Sequence, residues 1–280
     1  MIRTAAASDK AAISALLHEA FGDALEYISL FLDKRMNPDH TLLYFIDNTL
    51  AAQLFILECE LVFNGTAHKC GYIYAVSTAK AFRRQGISTR LLEYCHDFLL
   101  NKGFSAAVLV PSSAELASFY AKRGYHAQGV ISLAEFEFSA QPQNRNAVKL
   151  SPLTANELYR LREMWFGSGY LRWDIPSLEY ILDETRFLKG NFYRFSWGNK
   201  DCFASCVPLQ DSLLIKELAC PENAVPHLLT ALGSIYQKNK FSLRLSPELF
   251  SAGKTVPAGM CRLLKDDAAN GQFYLSHFLD

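Results

Sequence analysis

The chain has 280 residues, half of them hydrophobic, and its 28 basic residues balance 28 acidic ones. That length suggests about two domains with sizeable cores. Neutrality gives no broad field for nucleic acid or an anionic membrane, and no run approaches the ~18 apolar residues that span a bilayer. The N-terminus lacks a secretory apolar region. The seven cysteines form no C-x-x-C and mostly sit in apolar runs, which fits buried free thiols in a reducing cytoplasm. No metal-ligand spacing accompanies them, so no metal is expected.

In chain order, Met1 to Thr4 reads as a short strand. Ser8 and Asp9 are cap candidates for a helix striped by Ile13, Leu16, Leu17 and Phe21, broken at Gly22-Asp23. A second helix carries Leu25, Ile28, Phe31 and Leu32. Strands Leu42–Ile46 and Ala51–Phe63 flank the turn signal Asp47-Asn48, and Asn64-Gly65 marks a further hairpin into Gly71–Val76. A helix over Thr89–Lys102, a strand over Phe104–Val110, a helix over Ala114–Arg123 stopped by Gly124, and strands from His126 to Phe138 complete a first unit.

The most informative stretch is Val76-Ser-Thr-Ala-Lys-Ala-Phe-Arg-Arg-Gln-Gly-Ile-Ser88, which joins a strand to a helix start. The free N–H groups and partial positive charge of a helix's first turn bind anions. Gly86 lets the backbone approach a ligand closely, and Arg83 and Arg84 pair with phosphate oxygens. Taken alone, these residues also fit a surface turn with solvated arginines or a nucleic-acid patch, the latter opposed by the neutral composition.

Arg83-Arg84-Gln85-Gly86-Ile87-Ser88 resembles the Q/R-x-x-G-x-G/A signature of the GNAT (GCN5-related N-acetyltransferase) superfamily, with Ser88 where the pattern has Gly or Ala and Lys80 where many members have proline. Downstream, Phe119-Tyr120-Ala121-Lys122-Arg123-Gly124-Tyr125 resembles the family's F/Y-Y-x-x-x-G-F/Y. The resemblance implies a mixed, twisted α/β sheet with helices on both faces. It also implies an acetyl-CoA site formed by Val76, Ser77, Thr78, Arg83, Arg84, Gln85, Gly86, Ile87, Ser88, Thr89 and Ser113, with Tyr120 as general acid toward the leaving thiolate. For an isolated tyrosine a half-buried core position is the simpler reading; the two motifs in order favour the acid.

Polar, proline-bearing Gln141–Asn146 is the expected linker, dividing an acetyl-CoA-binding domain, 1–140, from a second domain, 147–280. The second half repeats the element order without repeating the sequence. Ala147–Leu150 is a strand, and Asn156–Trp165 and Ser177–Lys189 are helices separated by an aromatic loop. Strands Phe192–Trp197, Cys202–Leu209 and Leu213–Ala219 follow, then a helix Ala224–Lys238, a strand Phe241–Leu245, and a final pair, Met260–Leu264 and Gln272–Leu275. Between Ala219 and Val225 it has neither glycine nor arginine, and Glu222 stands where a phosphate would go, so one acetyl-CoA site per chain is expected. The layout is similar to the enhanced-intracellular-survival acetyltransferases, which place a working GNAT domain before a degenerate one. About 35 residues follow Leu245, too few for that family's sterol-carrier-like domain.

The expected activity is transfer of an acetyl group from acetyl-CoA to a primary amine of a small molecule or peptide in a ternary complex. The alternative is a non-catalytic acyl-CoA-binding sensor or partner subunit. Base candidates are Glu58 and Glu60, which also fit edge-strand carboxylates facing water, and, from the related tandem family, a C-terminal carboxylate supplied here by Asp280. Tyr72 and Tyr74 would order a water chain. Phe21-Gly22-Asp23, Tyr27 and the aromatic loop Trp165–Trp173 would wall the acceptor pocket, or the loop would pack between domains. Neither nucleic acid nor membrane is an expected partner, and a homo-oligomer is compatible with the sequence.

Overall fold

The structure is a computed structural model that describes residues 1–139, 148–167, 169–265 and 271–277. In the first half β1 (Ile2–Thr4), α1 (Lys10–Phe21), α2 (Leu25–Lys34), β2 (Thr41–Ile46), β3 (Thr49–Phe63) and β4 (Thr66–Thr78) precede α3 (Ile87–Asn101), β5 (Ala106–Leu109), α4 (Ala114–Ala121) and β6 (His126–Glu137). Local chemistry sets these boundaries. Gly22 ends α1 in the left-handed region (φ 75°), and Asp47-Asn48 and Asn64-Gly65 take the positive φ angles that tight hairpins need.

The second half holds β7 (Ser151–Pro152), α5 (Ala155–Trp165), β8 (Tyr170–Arg172), α6 (Ile175–Phe187), β9 (Asn191–Trp197), β10 (Lys200–Pro208), β11 (Leu213–Ala219), α7 (Val225–Tyr236), β12 (Lys240–Leu245), β13 (Lys254–Leu263) and β14 (Phe273–Tyr274). Thr154 and Glu157 form a reciprocal capping box on α5, and Asp174 caps α6 through the Ser177 N–H at 2.9 Å. The run β9–β10–β11–α7–β12 repeats β2–β3–β4–α3–β5, including the parallel pairs β4/β5 and β11/β12. The fold is thus a large mixed α/β sheet built from two similar units.

The units share one sheet, in the order β1-β2-β3-β4-β5-β13-β6-β12-β11-β10-β9-β7. β13, from the end of the chain, lies between β5 and β6 and is antiparallel to both, while β12 borders the far end of β6. The expected final strand pair therefore does not pair with itself: β14 instead runs parallel to β6 and β8. The expected aromatic loop is partly a strand, β8, which pairs with Glu60–Val62 of β3. Phe166, Tyr170 and Trp173 are buried there as packing between the halves. The strand expected over Ala147–Leu150 forms at Ser151–Pro152, a sheet edge that tolerates proline; Ala147 and the linker Gln141–Asn146 lie outside the described residues.

One apolar cluster draws Ile13, Ile28 and Phe31 of the first half together with Leu158, Leu178 and Ile181 of the second, so α1, α2, α5 and α6 cover one region of the sheet as a single core. Leu91, Leu92, Cys95 and Leu99 of α3 form a second cluster, and Leu228, Leu229 and Leu232 of α7 a third. All seven cysteines are free and buried. Among the described residues no helix is long and apolar enough to cross a membrane.

Candidate functional site

β4 and β5 run parallel and bonded only from Cys70 to Tyr72, against Ala106 to Val108; beyond that point they separate. A bulge widens the split. Gln53 faces Ser77 and Phe55 faces Tyr74, so Ala75 and Val76 together oppose Leu54, and Ala75 takes φ 48°. A non-glycine residue in that region stores strain, and bulges re-aim a strand beside functional sites.

The split opens into a cavity of about 580 Å³. Its walls are Ile73–Val76 of β4, Leu109 of β5, Val110 and Ser112 after it, and Leu116 and Tyr120 of α4. The end of α1 contributes Phe21, the turn after it Asp23, and α2 Tyr27, and the second half contributes Glu184, Phe187, Leu188 and Lys216. The Tyr120 ring packs against Phe119 and Tyr125 with centroids 5.3 and 5.7 Å away. Burial pushes its hydroxyl pKa up to about 12, against a smaller opposing pull from Arg123. Tyr120 therefore carries its proton at neutral pH.

Past the end of β4 the chain turns into α3. Arg84 (φ 63°) and Gly86 (φ 73°) both lie in the left-handed region, and Gly86 is the residue from which α3 springs. No side chain caps that first turn, which leaves its N–H groups for an external anion. The loop is braced: Arg83 Nε donates to the Thr78 carbonyl at 3.0 Å, and Arg90 donates to the Gln85 carbonyl at 3.1 Å. Arg123 stacks on Phe119 at 3.4 Å and donates to the Thr89 hydroxyl, so Thr89 links α3 to α4. Ser113 caps α4, accepting from the Leu116 N–H at 3.2 Å.

Thus Val76 and Tyr120 line the cavity, and Ser77 and Thr78 continue β4 toward the loop of Arg83–Thr89. Glu58 and Glu60 lie elsewhere. Glu58 is 2.9 Å from His40 Nδ1 and 3.4 Å from Lys69, and Glu60 is 2.8 Å from Arg172. Asp280 lies outside the described residues.

Sequence reasoning passed over all four cavity residues from the second half, two of them charged. Glu184 stands on α6, where its Oε1 accepts from Tyr27 at 2.6 Å and from Tyr180 at 3.3 Å. Lys216 is the extra residue of a bulge in β11, since Ser205 faces Glu217 and Cys206 faces Ile215. A signal existed: Lys216-Glu217 is a charged pair inside the otherwise apolar run Leu213–Ala219. In the second unit Glu222, before α7, accepts from Ser251 Oγ at 2.9 Å and from the Ala252 N–H at 3.1 Å. A protein carboxylate and its own partners thus stand where the first unit leaves a helix start open.

Residues 1–127 match the sequence model of an acetyltransferase (GNAT) domain. No curated protein matches the sequence. Among solved structures, the chain is similar to a GCN5-related N-acetyltransferase from Anabaena variabilis (TM-score 0.72, 16% identity, covering 95% of this chain and 73% of that one). It is also similar to a probable N-acyltransferase from Enterococcus faecalis (0.72, 16%, 94% and 72%) and to Eis1 from Mycobacterium abscessus (0.69, 15%, 96% and 75%). At such identities these show a shared fold, and it extends over both halves. The matched residues 1–127, which hold the Arg83–Ser88 loop and Tyr120, are thus similar in sequence to a GNAT acetyltransferase domain.

Proposed function

We propose that the chain is an acetyl-CoA-dependent N-acetyltransferase with one donor site per chain, in the first half. The observation that carries this is a single cavity at the β4/β5 split, lined by a protonated Tyr120 and continued along β4 to an uncapped α3 N-terminus. Acetyl-CoA supplies the activated thioester. The N–H groups of Gly86 to Thr89 would hold its pyrophosphate, with the Arg83 and Arg84 charges beside them. The edge of β4 from Val76 to Thr78 would orient the pantetheine arm, and Ser113 lies near its path after β5.

The chemistry then assigns roles. At pH 7 only about one lysine-like amine in 2,500 is neutral, and only that form attacks. The N–C bond forms as the thioester C–S bond breaks. The Val76 N–H, at the bulge beside the cavity, would be the simplest donor to the charge that develops on the carbonyl oxygen. Tyr120 gives its proton to the leaving thiolate, and the proton lost by the amine returns to Tyr120 through water. With Glu58 and Glu60 engaged by His40, Lys69 and Arg172, we read them as structural carboxylates. Seven buried free thiols favour a reducing, cytoplasmic setting.

Calorimetric titration with acetyl-CoA, followed by thiol release with an amine panel, tests this reading. A stoichiometry near one with amine-dependent thiol release supports it. A stoichiometry near two would assign a second site to the second half. Binding without turnover on any amine would favour the acyl-CoA sensor.

A further inference from the structure

Away from β5 and α4 the cavity is walled by α1 and α2 together with Glu184, Phe187, Leu188 and Lys216 of the second half, and its chemistry is specific. Glu184 is buried, and burial pushes its carboxyl pKa up; the Lys216 charge and the hydrogen bond from Tyr27 act against this, and its pKa lies below the usual range. Glu184 is therefore an anion at neutral pH. The adjacent His277, with Nε2 3.9 Å from Glu184, is held neutral, since burial lowers its pKa to about 4. Tyr27 lines the cavity and commits its proton to Glu184, so the lone pairs of its Oη remain to accept from an incoming N–H. The cavity's lining contains two carboxylates, Asp23 and Glu184, and one ammonium, Lys216, which leaves one net negative charge.

Beyond these polar groups the lining is mainly apolar. Leu17, Ile28 and Phe31 form the inner wall. At the mouth Phe21, Leu116, Phe187 and Leu188 are 50, 38, 43 and 38% exposed, and all four also line the cavity. Exposed large apolar residues are unremarkable when scattered singly; four around the mouth of one cavity mark a surface that an apolar ligand covers.

We infer that the acceptor is a primary amine carrying a single positive charge on a ring-sized apolar body, its nitrogen arriving as an ammonium on Tyr27 Oη backed by Glu184 and losing one proton to solvent before it attacks, its body against Phe31 and Phe187. This rests on the acetyltransferase reading. A triamine would have only Asp23 left for its two further charges and would set the rest of its chain against Phe and Leu walls, at a desolvation cost. A free amino acid would add a carboxylate to a lining that already has two, with Lys216 the one ammonium and already set against Glu184.

The test uses three probes: 2-phenylethylamine, spermidine and L-phenylalanine. Acetyl-CoA titration is measured first, because absence of donor binding would overturn the acetyltransferase reading and this inference with it. With donor binding established, 2-phenylethylamine is expected to exceed both other amines in kcat/KM by about 100-fold, and to bind the CoA-saturated protein calorimetrically even where turnover is slow. Equal or faster consumption of spermidine or L-phenylalanine would overturn the inference and leave the acetyltransferase reading standing. Glu184→Gln keeps the shape and removes the charge; it should raise the KM for 2-phenylethylamine about 10-fold with acetyl-CoA affinity unchanged. Should that variant fold poorly, the exposed Phe187→Ser should raise the same KM about 5-fold and leave spermidine unaffected. An unchanged KM in Phe187→Ser would remove the apolar wall from the argument and overturn it.

Discussion

Tyr120 concentrates the chemistry at the residue scale. Its phenol is buried among Phe119, Tyr125 and the cavity, and its pKa is pushed up to about 12. A general acid that leaves turnover limited by thiolate protonation should cost about 100-fold in kcat when lost, so we expect Tyr120→Phe to lower kcat by that order while acetyl-CoA affinity stays unchanged. Equal kcat in the variant would remove the acid role. The pH profile gives a separate check. An ordinary tyrosine is half ionised near pH 10, whereas Tyr120 remains a phenol there. Corrected for the neutral amine fraction, kcat/KM should stay level through pH 10. A fall with a midpoint near 10 that disappears in Tyr120→Phe would contradict the burial argument. Tyr120 could be singled out in the sequence because a local motif surrounds it, and it lines the cavity. Glu184 was not, because it reaches the cavity through a contact with Tyr27 separated by 157 residues.

The elements carry the strain and charge that make the site. Gly86 starts α3 at φ 73°, and a Cβ there would meet nothing closer than 3.5 Å, from an Arg90 nitrogen. The obstacle to substitution is therefore backbone conformation rather than space. A β-branched residue resists the left-handed region by about 1–2 kcal/mol, enough to re-form the loop and withdraw its N–H groups from an anion. We expect Gly86→Val to abolish measurable acetyl-CoA binding with the melting temperature only slightly lowered; retained binding would show that the loop does not hold the donor. α3 also buries His96, whose Nε2 lies 2.9 Å from the Tyr125 hydroxyl. Burial, helped by the Arg262 charge, lowers its pKa to about 4, and His277 is lowered to about 4 as well. In the unfolded chain both titrate near 6.5. The unfolded state therefore binds more protons between about pH 6.5 and 4, and stability falls as the pH drops through that window. Above it neither histidine alters the balance. Denaturant unfolding at pH 7 and 5 should show the loss, and His96→Gln should lessen it; an unchanged pH dependence in the variant would remove His96 from the account. The helix start, the turns and the caps behind these elements were readable because each depends on a few adjacent residues.

At the scale of the whole molecule, sequence order and spatial order part company. Element order alone suggests two sheets in series, since each half carries the same strand–helix run. Strand pairing across 120 or more residues leaves no local trace, because the partners of β13 match it only in register and pleat. Pairing Met260–Leu263 with Ala106–Leu109 and Lys254–Cys261 with His126–Leu133 ties the end of the chain into the first half. The fit is close: a Cβ on Gly129 would sit 3.0 Å from the Gly259 Cα and 3.1 Å from its nitrogen, both backbone atoms that cannot swing aside. Gly129→Ala should therefore destabilise the full chain by about 2 kcal/mol, within the range for overpacking a core. A fragment ending at residue 139 would lose more. It would expose the facing edges of β5 and β6 to solvent, and with them the apolar face that Leu158, Leu178 and Trp173 cover. We expect that fragment to keep helical far-UV dichroism but lose its near-UV signal and associate, although it contains the family's two motifs and the whole matched region. A monomeric fragment with cooperative unfolding and acetyl-CoA binding would show instead that the first half is self-sufficient. The acceptor end of the cavity would then be an addition to a complete domain, and not the consequence of a sheet that closes only when both halves are present.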